Sequence, residues 1–181
     1  TDRDSHFIFG DVATATILEA AETVNTDTAF DILSTKAKTV YSNNIRSNFG
    51  YMSRANDVDP FGPDKLFHQA GRRVFKEVCP MAAEHIASHL GQHELSPDNV
   101  NRWWLHQANI NMNTLICKKL LGRDANSEEA PIVLDEYANT ASAGSIIAFA
   151  LHHQDLASQD VGVICSFGAG YSIGSLVVRK R

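Results

Sequence analysis

The end of the chain constrains the fold most. Val161 to Phe167 and Tyr171 to Arg179 are both β-rich, and only Gly168-Ala169-Gly170 separates them, so they predict an antiparallel hairpin. A hairpin alone cannot bury its own apolar face and needs a layer to pack on. The segments before it supply one, because strand-like and helix-like stretches alternate upstream. Strands joined through helices pair in parallel, whereas the final pair is antiparallel. The pattern therefore predicts an α/β layered fold with a mixed sheet.

Val12 to Glu19 alternates and carries β-favouring residues, which predicts a strand, and Ala29 to Val40 predicts another. Residues 41–63 combine Asn, Ser, Gly and Pro with little periodicity and read as a functional loop. From Leu66 to Leu90 apolar residues recur near helical spacing, with Gly91 as the stop and Pro80 placed to kink or divide the helix. Ser96-Pro97-Asp98 opens a short helical turn, and Arg102 to Leu105 is a short apolar-aromatic strand. A helix is predicted from Ala108 to Leu121 before Gly122, a strand over Ile132 to Leu134, and a helix from Ser142 to Leu156. No repeat or low-complexity segment interrupts this order.

Composition narrows the function classes. A chain of 181 residues suits about one domain, and 44% apolar with 20% charged residues is ordinary for a globular protein. The net charge of -5 argues against a generic nucleic-acid binder, which needs a basic surface. No apolar run reaches the roughly 18 residues of a membrane span, and no leader pattern stands at Thr1. Three cysteines without paired spacing fit a reducing compartment, and no CxxC suggests zinc. The chain lacks an initiator Met, and Phe7 to Asp11 reads as the inside of a domain already under way, so a fragment or one of two chains is expected.

Chemistry concentrates at two places. His106 ends the strand Arg102 to Leu105, at the rim where α/β proteins commonly place sites, with the polar neighbours Gln107 and Asn109. Asn139 precedes Thr140-Ala141-Ser142-Ala143-Gly144-Ser145, small residues that allow close approach at a helix start. Two such donors aimed at one point can hold an oxyanion. A satisfied core histidine and a plain helix cap would explain each residue singly. The Ala169 N–H in the glycine turn could be half of an oxyanion hole, though a hairpin turn explains it nearly as well. The same glycines lead into a strand, not a helix, which rejects a phosphate loop. A reactive cysteine wants a helix N-terminus or a basic neighbour, whereas Cys117 falls deep in a predicted helix, Cys165 within a strand and Cys79 before Pro80, so all three read as structural. His85, His89 and His93 imitate a metal face, but Gly91 breaks the helix and no HExxH is present. Arg72, Arg73, Lys76, Lys118 and Lys119 form two basic clusters that are either solvated faces or a steering surface for an acidic partner.

Together HQAN (106–109), Asn139-Thr140-Ala141-Ser142 and SFGAGYSIGSLVVR (166–179) resemble the C-terminal half of the β-ketoacyl-acyl-carrier-protein synthase III family, condensing enzymes of the thiolase fold. Phe9-Gly10-Asp11 resembles that family's FGDGA segment, and GRRVFKEVCP with Lys118-Lys119 resembles its carrier-facing helix and basic pair. Val12 stands in place of a family glycine, Ala138 where glycine is common, Asn111 where arginine is frequent, and Ala169 for the middle glycine of FGGG.

The resemblance implies a thiolase-like layered α-β-α fold with a mixed five-stranded sheet. It places residues 1–40 at the end of the N-terminal half and junction, 41–63 in a loop, and 64–181 in the C-terminal half. It implies that His106, Asn139 and the Ala169 N–H are catalytic. Asn109, Arg72, Phe75, Lys118 and Lys119 would contact substrate or carrier. It further implies a cysteine nucleophile on an N-terminal half, no metal and no cofactor, with coenzyme A and acyl-carrier-protein thioesters as substrates in a cytoplasmic homodimer. The activity implied is decarboxylative condensation in fatty-acid synthesis. A condensing or acyl-transfer enzyme of secondary metabolism, or a non-catalytic carrier-binding subunit, would share the fold. Alone, the chain is expected to form no acyl-enzyme and to expose a large apolar face.

Overall fold

The computed structural model describes residues 7–47 and 67–181. Six strands and four helices follow in the order β1 (Phe30–Ser42), β2 (Ile45–Ser47), β3 (Phe67–Gln69), α1 (Gly71–Gly91), β4 (Arg102–Leu105), α2 (Ile110–Leu121), α3 (Leu134–Tyr137), α4 (Ala143–Leu151), β5 (Val161–Gly168) and β6 (Gly170–Lys180). A 3-10 turn at Pro97–Asn99 leads into β4. The principal sheet has the order β1-β6-β5-β4. The hairpin β5-β6 and the pair β1-β6 are antiparallel, whereas β4 and β5 run parallel, so the sheet is mixed. Among the described residues it holds four strands, not five; β2 and β3 form a separate two-stranded sheet.

Period-two alternation along the strands divides the core between two faces. Trp103, Leu105, Val163, Cys165, Ile173 and Val177 pack with Val78, Ile86, Leu90 and Ile116 of α1 and α2. Trp104, Ile164 and Val178 pack on the other face with Ile147 and Ala148 of α4. Trp104 needs room in the neighbouring strand, and Gly162 gives it: a Cβ there would lie 2.1 Å from Trp104 Cζ3.

Several sequence expectations are corrected. Residues 12–19 have no regular structure and are exposed, Ile17 and Leu18 at 86% and 75%. A strand exists only through a paired backbone, and among the described residues none lies alongside. Ile132 to Leu134 is not a strand; the chain enters α3 instead, with Asp135 and Glu136 in its first turn favouring the helix N-terminus. The fourth helix stops at Leu151, not Leu156. The His152 carbonyl accepts from Trp104 Nε1 at 3.0 Å and from Arg102 at 2.8 Å, so buried donors on β4 capture the helix end. Phe67 belongs to β3, and Pro80 leaves α1 unbroken because it lies on the exposed side. Tyr41 and Ser42 extend β1 and Ile45–Ser47 form β2, whereas 48–63 of the anticipated loop lie outside the described residues.

The histidine series on α1 is a structural seam. His89 contacts Ser175 Oγ at 2.8 Å and Ser34 Oγ at 2.9 Å, and His85 contacts the same Ser175 at 3.0 Å, tying α1 to β6 and β1. Burial lowers the His89 pKa from 6.5 to about 4, helped by His85, His93 and Lys36 nearby. The unfolded chain therefore binds protons that the folded seam refuses. That contribution is complete above about pH 6.5 and is lost as pH falls towards about 4. The urea midpoint of the full-length protein should decline through that window, and less steeply in His89→Gln; equal slopes would contradict the seam's role.

Candidate active site at the sheet rim

His106 follows the last residue of β4 at the carboxyl edge of the parallel β4-β5 pair, the edge where open α/β sheets place ligands. It is 6% exposed, and the Phe167 ring of β5 meets its imidazole edge-on at 4.7 Å. Burial pushes its pKa down from 6.5 to about 4, with the Ala141 backbone pulling weakly the other way. The ring is thus neutral at pH 7, with one N–H to donate. Nδ1 is buried and finds no partner among the described residues.

Asn139 is fixed by its backbone. Its N–H donates to the Ile8 carbonyl at 3.0 Å and its carbonyl accepts from Gly10 N–H at 3.1 Å, a parallel bridge centred on Phe9. Its side-chain Oδ1 accepts from the Ala141 N–H at 3.0 Å, which leaves the Nδ2 amide as the face that can donate. Oδ1 therefore closes a turn ahead of α4 and does not cap the helix itself. The bends on either side are unusual: Ala138 has φ 55° and ψ -158°, and Ala141 has φ 54°. Such conformations cost an L residue of order 1–3 kcal/mol each and cluster at functional sites. The position where the resembled family commonly has glycine is one that glycine would occupy without strain.

His106 and Asn139 line one cavity of about 780 Å³, within the range of small-molecule sites. Ala169, Asn109 and Phe75 line it too, so five of the eight anticipated site residues converge. Asn109 is also the α2 N-cap, its Oδ1 accepting from Asn111 N–H at 2.8 Å. Arg72, Lys118 and Lys119 do not line the cavity and lie exposed on α1 and α2, Lys118 3.5 Å from Asp124. Sequence reasoning missed Phe167, although the alternation Val163, Cys165, Phe167 aims it at the same face. It singled out Phe9-Gly10-Asp11 but missed that Ile8 and Gly10 hold Asn139, because that contribution is backbone.

None of the three cysteines is poised as a nucleophile. Burial raises Cys79 to about 11, against the opposing charge of Lys119, and Cys117 to about 12, with Glu129 adding to it. Cys165 rises to about 12 by burial alone. Among the described residues no cluster of three or more His, Cys, Asp or Glu could hold a metal, and no helix is long and apolar enough to cross a membrane. The cavity thus brings His106 and Asn139 together with the Ala169 backbone on a largely apolar wall, to which Lys38, Ser142 and Ser166 also contribute.

The layered mixed sheet has the fold of the 3-oxoacyl-[acyl-carrier-protein] synthase III structures. The chain belongs to the 3-oxoacyl-[acyl-carrier-protein] synthase III family, whose C-terminal model matches residues 90–180. It is 58% identical over 180 residues to a β-ketodecanoyl-[acyl-carrier-protein] synthase of Pseudomonas aeruginosa, covering 99% of this chain and 51% of that protein. It is 30% identical to a β-ketoacyl-[acyl-carrier-protein] synthase III of Ehrlichia ruminantium, over 98% of this chain and 53% of the relative. The crystal structure of 3-oxoacyl-[acyl-carrier-protein] synthase III from Aquifex aeolicus superposes with a TM-score of 0.73 at 21% identity, covering 98% of this chain and 52% of that one. The chain spans about half the length of the curated relatives it matches.

A Cβ on Gly10 would lie 2.2 Å from the Tyr137 carbonyl oxygen. Gly10→Ala should therefore part the Phe9–Asn139 bridge and destabilise the protein by about 1–3 kcal/mol, a typical cost of overpacking. Ala138→Gly should stabilise it by about 1 kcal/mol through relief of strain. Denaturant titration of both variants checks the pair; a Gly10→Ala variant that is not destabilised, or an Ala138→Gly variant that is, would contradict the geometry described.

Proposed function

We propose that this chain is the His–Asn half of a decarboxylating condensing enzyme that extends an acyl thioester with malonyl-acyl-carrier protein. The observation that carries the reading is the convergence of a buried, neutral His106 and an Asn139 with a free amide face on one cavity. A neutral donor pair suits a thioester carbonyl that becomes an enolate oxyanion. A carboxylate there would repel it.

The proposed sequence runs in two half-reactions. A cysteine thiolate on the N-terminal half attacks an acyl-coenzyme A carbonyl, forming an acyl-cysteine and expelling the coenzyme A thiolate. Malonyl-carrier protein then enters with its thioester carbonyl between His106 and Asn139. The bond to the malonyl carboxylate breaks, carbon dioxide leaves, and the electron pair becomes an enolate held by the two donors. The enolate carbon attacks the acyl-cysteine, whose carbonyl oxyanion the Ala169 N–H and the cysteine N–H would hold. Collapse expels the cysteine thiolate and releases a β-ketoacyl-carrier protein.

Exposed Arg72, Lys118 and Lys119 would meet the acidic carrier, and Phe75 and Asn109 would line the path of its thiol arm. The Pseudomonas relative is named for a ten-carbon β-keto product, and two of those carbons would come from malonyl. We therefore take an eight-carbon acyl-coenzyme A as the primer. The working enzyme is proposed to be a cytoplasmic homodimer that needs no cofactor.

In the full-length protein His106→Ala or Asn139→Ala should cut malonyl-thioester decarboxylation by about 10²–10³-fold, as loss of one oxyanion donor does elsewhere. Octanoyl-coenzyme A should still add one acyl mass to the N-terminal half and none to peptides holding Cys79, Cys117 or Cys165. Near-normal decarboxylation in His106→Ala would sink the reading.

A further inference from the structure

We infer that the buried Gln107 amide is a latch that sets the spacing of His106 and Asn139, making Gln107 a positioning residue for decarboxylation. The inference rests on the function proposed above. Gln107 is completely buried, yet it neighbours the donor histidine in sequence and lies outside the cavity. Its Nε2 donates to the Leu105 carbonyl at 2.9 Å and to the Pro131 carbonyl at 3.4 Å, while its Oε1 accepts from the Val133 N–H at 3.1 Å. Both amide hydrogens are thus used, and one side chain bolts the end of β4 to the segment that enters α3.

What lies at the two ends of the bolt gives it meaning. On one side the next residue back is His106, which turns towards Phe167. On the other, Val133 leads through the single turn of α3, where Tyr137 N–H donates to Val133 and Ala138 N–H to Leu134, straight to Asn139. A one-turn helix has little slack, so the Gln107 bonds fix where Asn139 begins. Helix α4 closes the latch from behind. A Cβ on Gly144 would lie 2.8 Å from Gln107 Cβ and 3.1 Å from its Cγ, so only glycine lets the helix press on that side chain. Small displacements of this kind are costly, since a misplacement near 1 Å can slow catalysis on the order of a hundredfold.

Gln107→Met in the full-length protein keeps the length and packing of the side chain and removes its three hydrogen bonds. Its kcat for malonyl-thioester decarboxylation should fall on the order of a hundredfold with KM nearly unchanged. Acylation of the cysteine by octanoyl-coenzyme A should persist, and the His106 imidazole NMR signals should shift. Gly144→Ala, which reaches the latch from α4, should shift the same signals and lower kcat less. Retained kcat in folded Gln107→Met overturns the inference, as does an equal loss of both half-reactions, which marks Gln107 as structural only. His106→Ala measured in parallel separates the two levels. If it decarboxylates normally the proposed function fails, whereas its loss beside a fully active Gln107→Met removes the latch alone.

Discussion

The site depends on burying an imidazole without charging it. His106 sits where β4 ends against β5, walled by Phe167 and excluded from water, and that exclusion holds it neutral. A protonated ring would be a stronger donor, but nothing charged among its described contacts would compensate it there, and the folded chain would lose stability on acidification. The parallel β4-β5 pairing therefore does more than extend the sheet. It carries a neutral donor to a rim and keeps it dry.

Asn139 is placed by a different device. No strand delivers it; it hangs between Ile8 and Gly10 on one side and the Ala141 turn on the other, with left-handed bends at Ala138 and Ala141. Strain is tolerated because backbone hydrogen bonds over-determine the segment. The two donors are thus reached by two unrelated routes, one through sheet pairing and one through a strained loop. The buried Gln107 amide and the short α3 are the covalent and hydrogen-bonded link between those routes.

The hairpin β5-β6, the strand β4 and the helix α2 with its Gly122 cap were legible in the sequence, because periodicity and capping are local properties; the sequence ran α2 from Ala108, whereas Asn109 caps it. His106 and Asn139 stood out in the sequence only as a pair in context, and the fold brings both to one cavity. What failed was set by tertiary partners. Val12 to Glu19 alternates as a strand should, yet no neighbouring strand pairs with it among the described residues. Ile132 to Leu134 was too short a run for periodicity to separate strand from helix entry, and Val133 N–H went to a glutamine rather than a ladder. The end of α4 was moved by Trp104 and Arg102, residues far away in sequence. The backbone clamp on Asn139 left a trace only in Gly10 of the segment Phe9-Gly10-Asp11, where a side chain would meet the Tyr137 carbonyl; its pairing with Asn139 runs through main-chain atoms and left none.

Helix α4 (AGSIIAFAL) is apolar but for Ser145, whose buried hydroxyl meets Ser166 Oγ at 2.7 Å, and its last residue, Leu151, remains 49% exposed. Two neutral donors are proposed to polarise a thioester carbonyl. The most direct measurement is the infrared stretch of an isotope-labelled, non-decarboxylating malonyl-thioester analogue bound to the full-length protein. The account predicts a shift to lower frequency on binding that disappears in the His106→Ala, Asn139→Ala double variant. An unshifted carbonyl in the wild-type complex, or a shift that survives in the double variant, would contradict it.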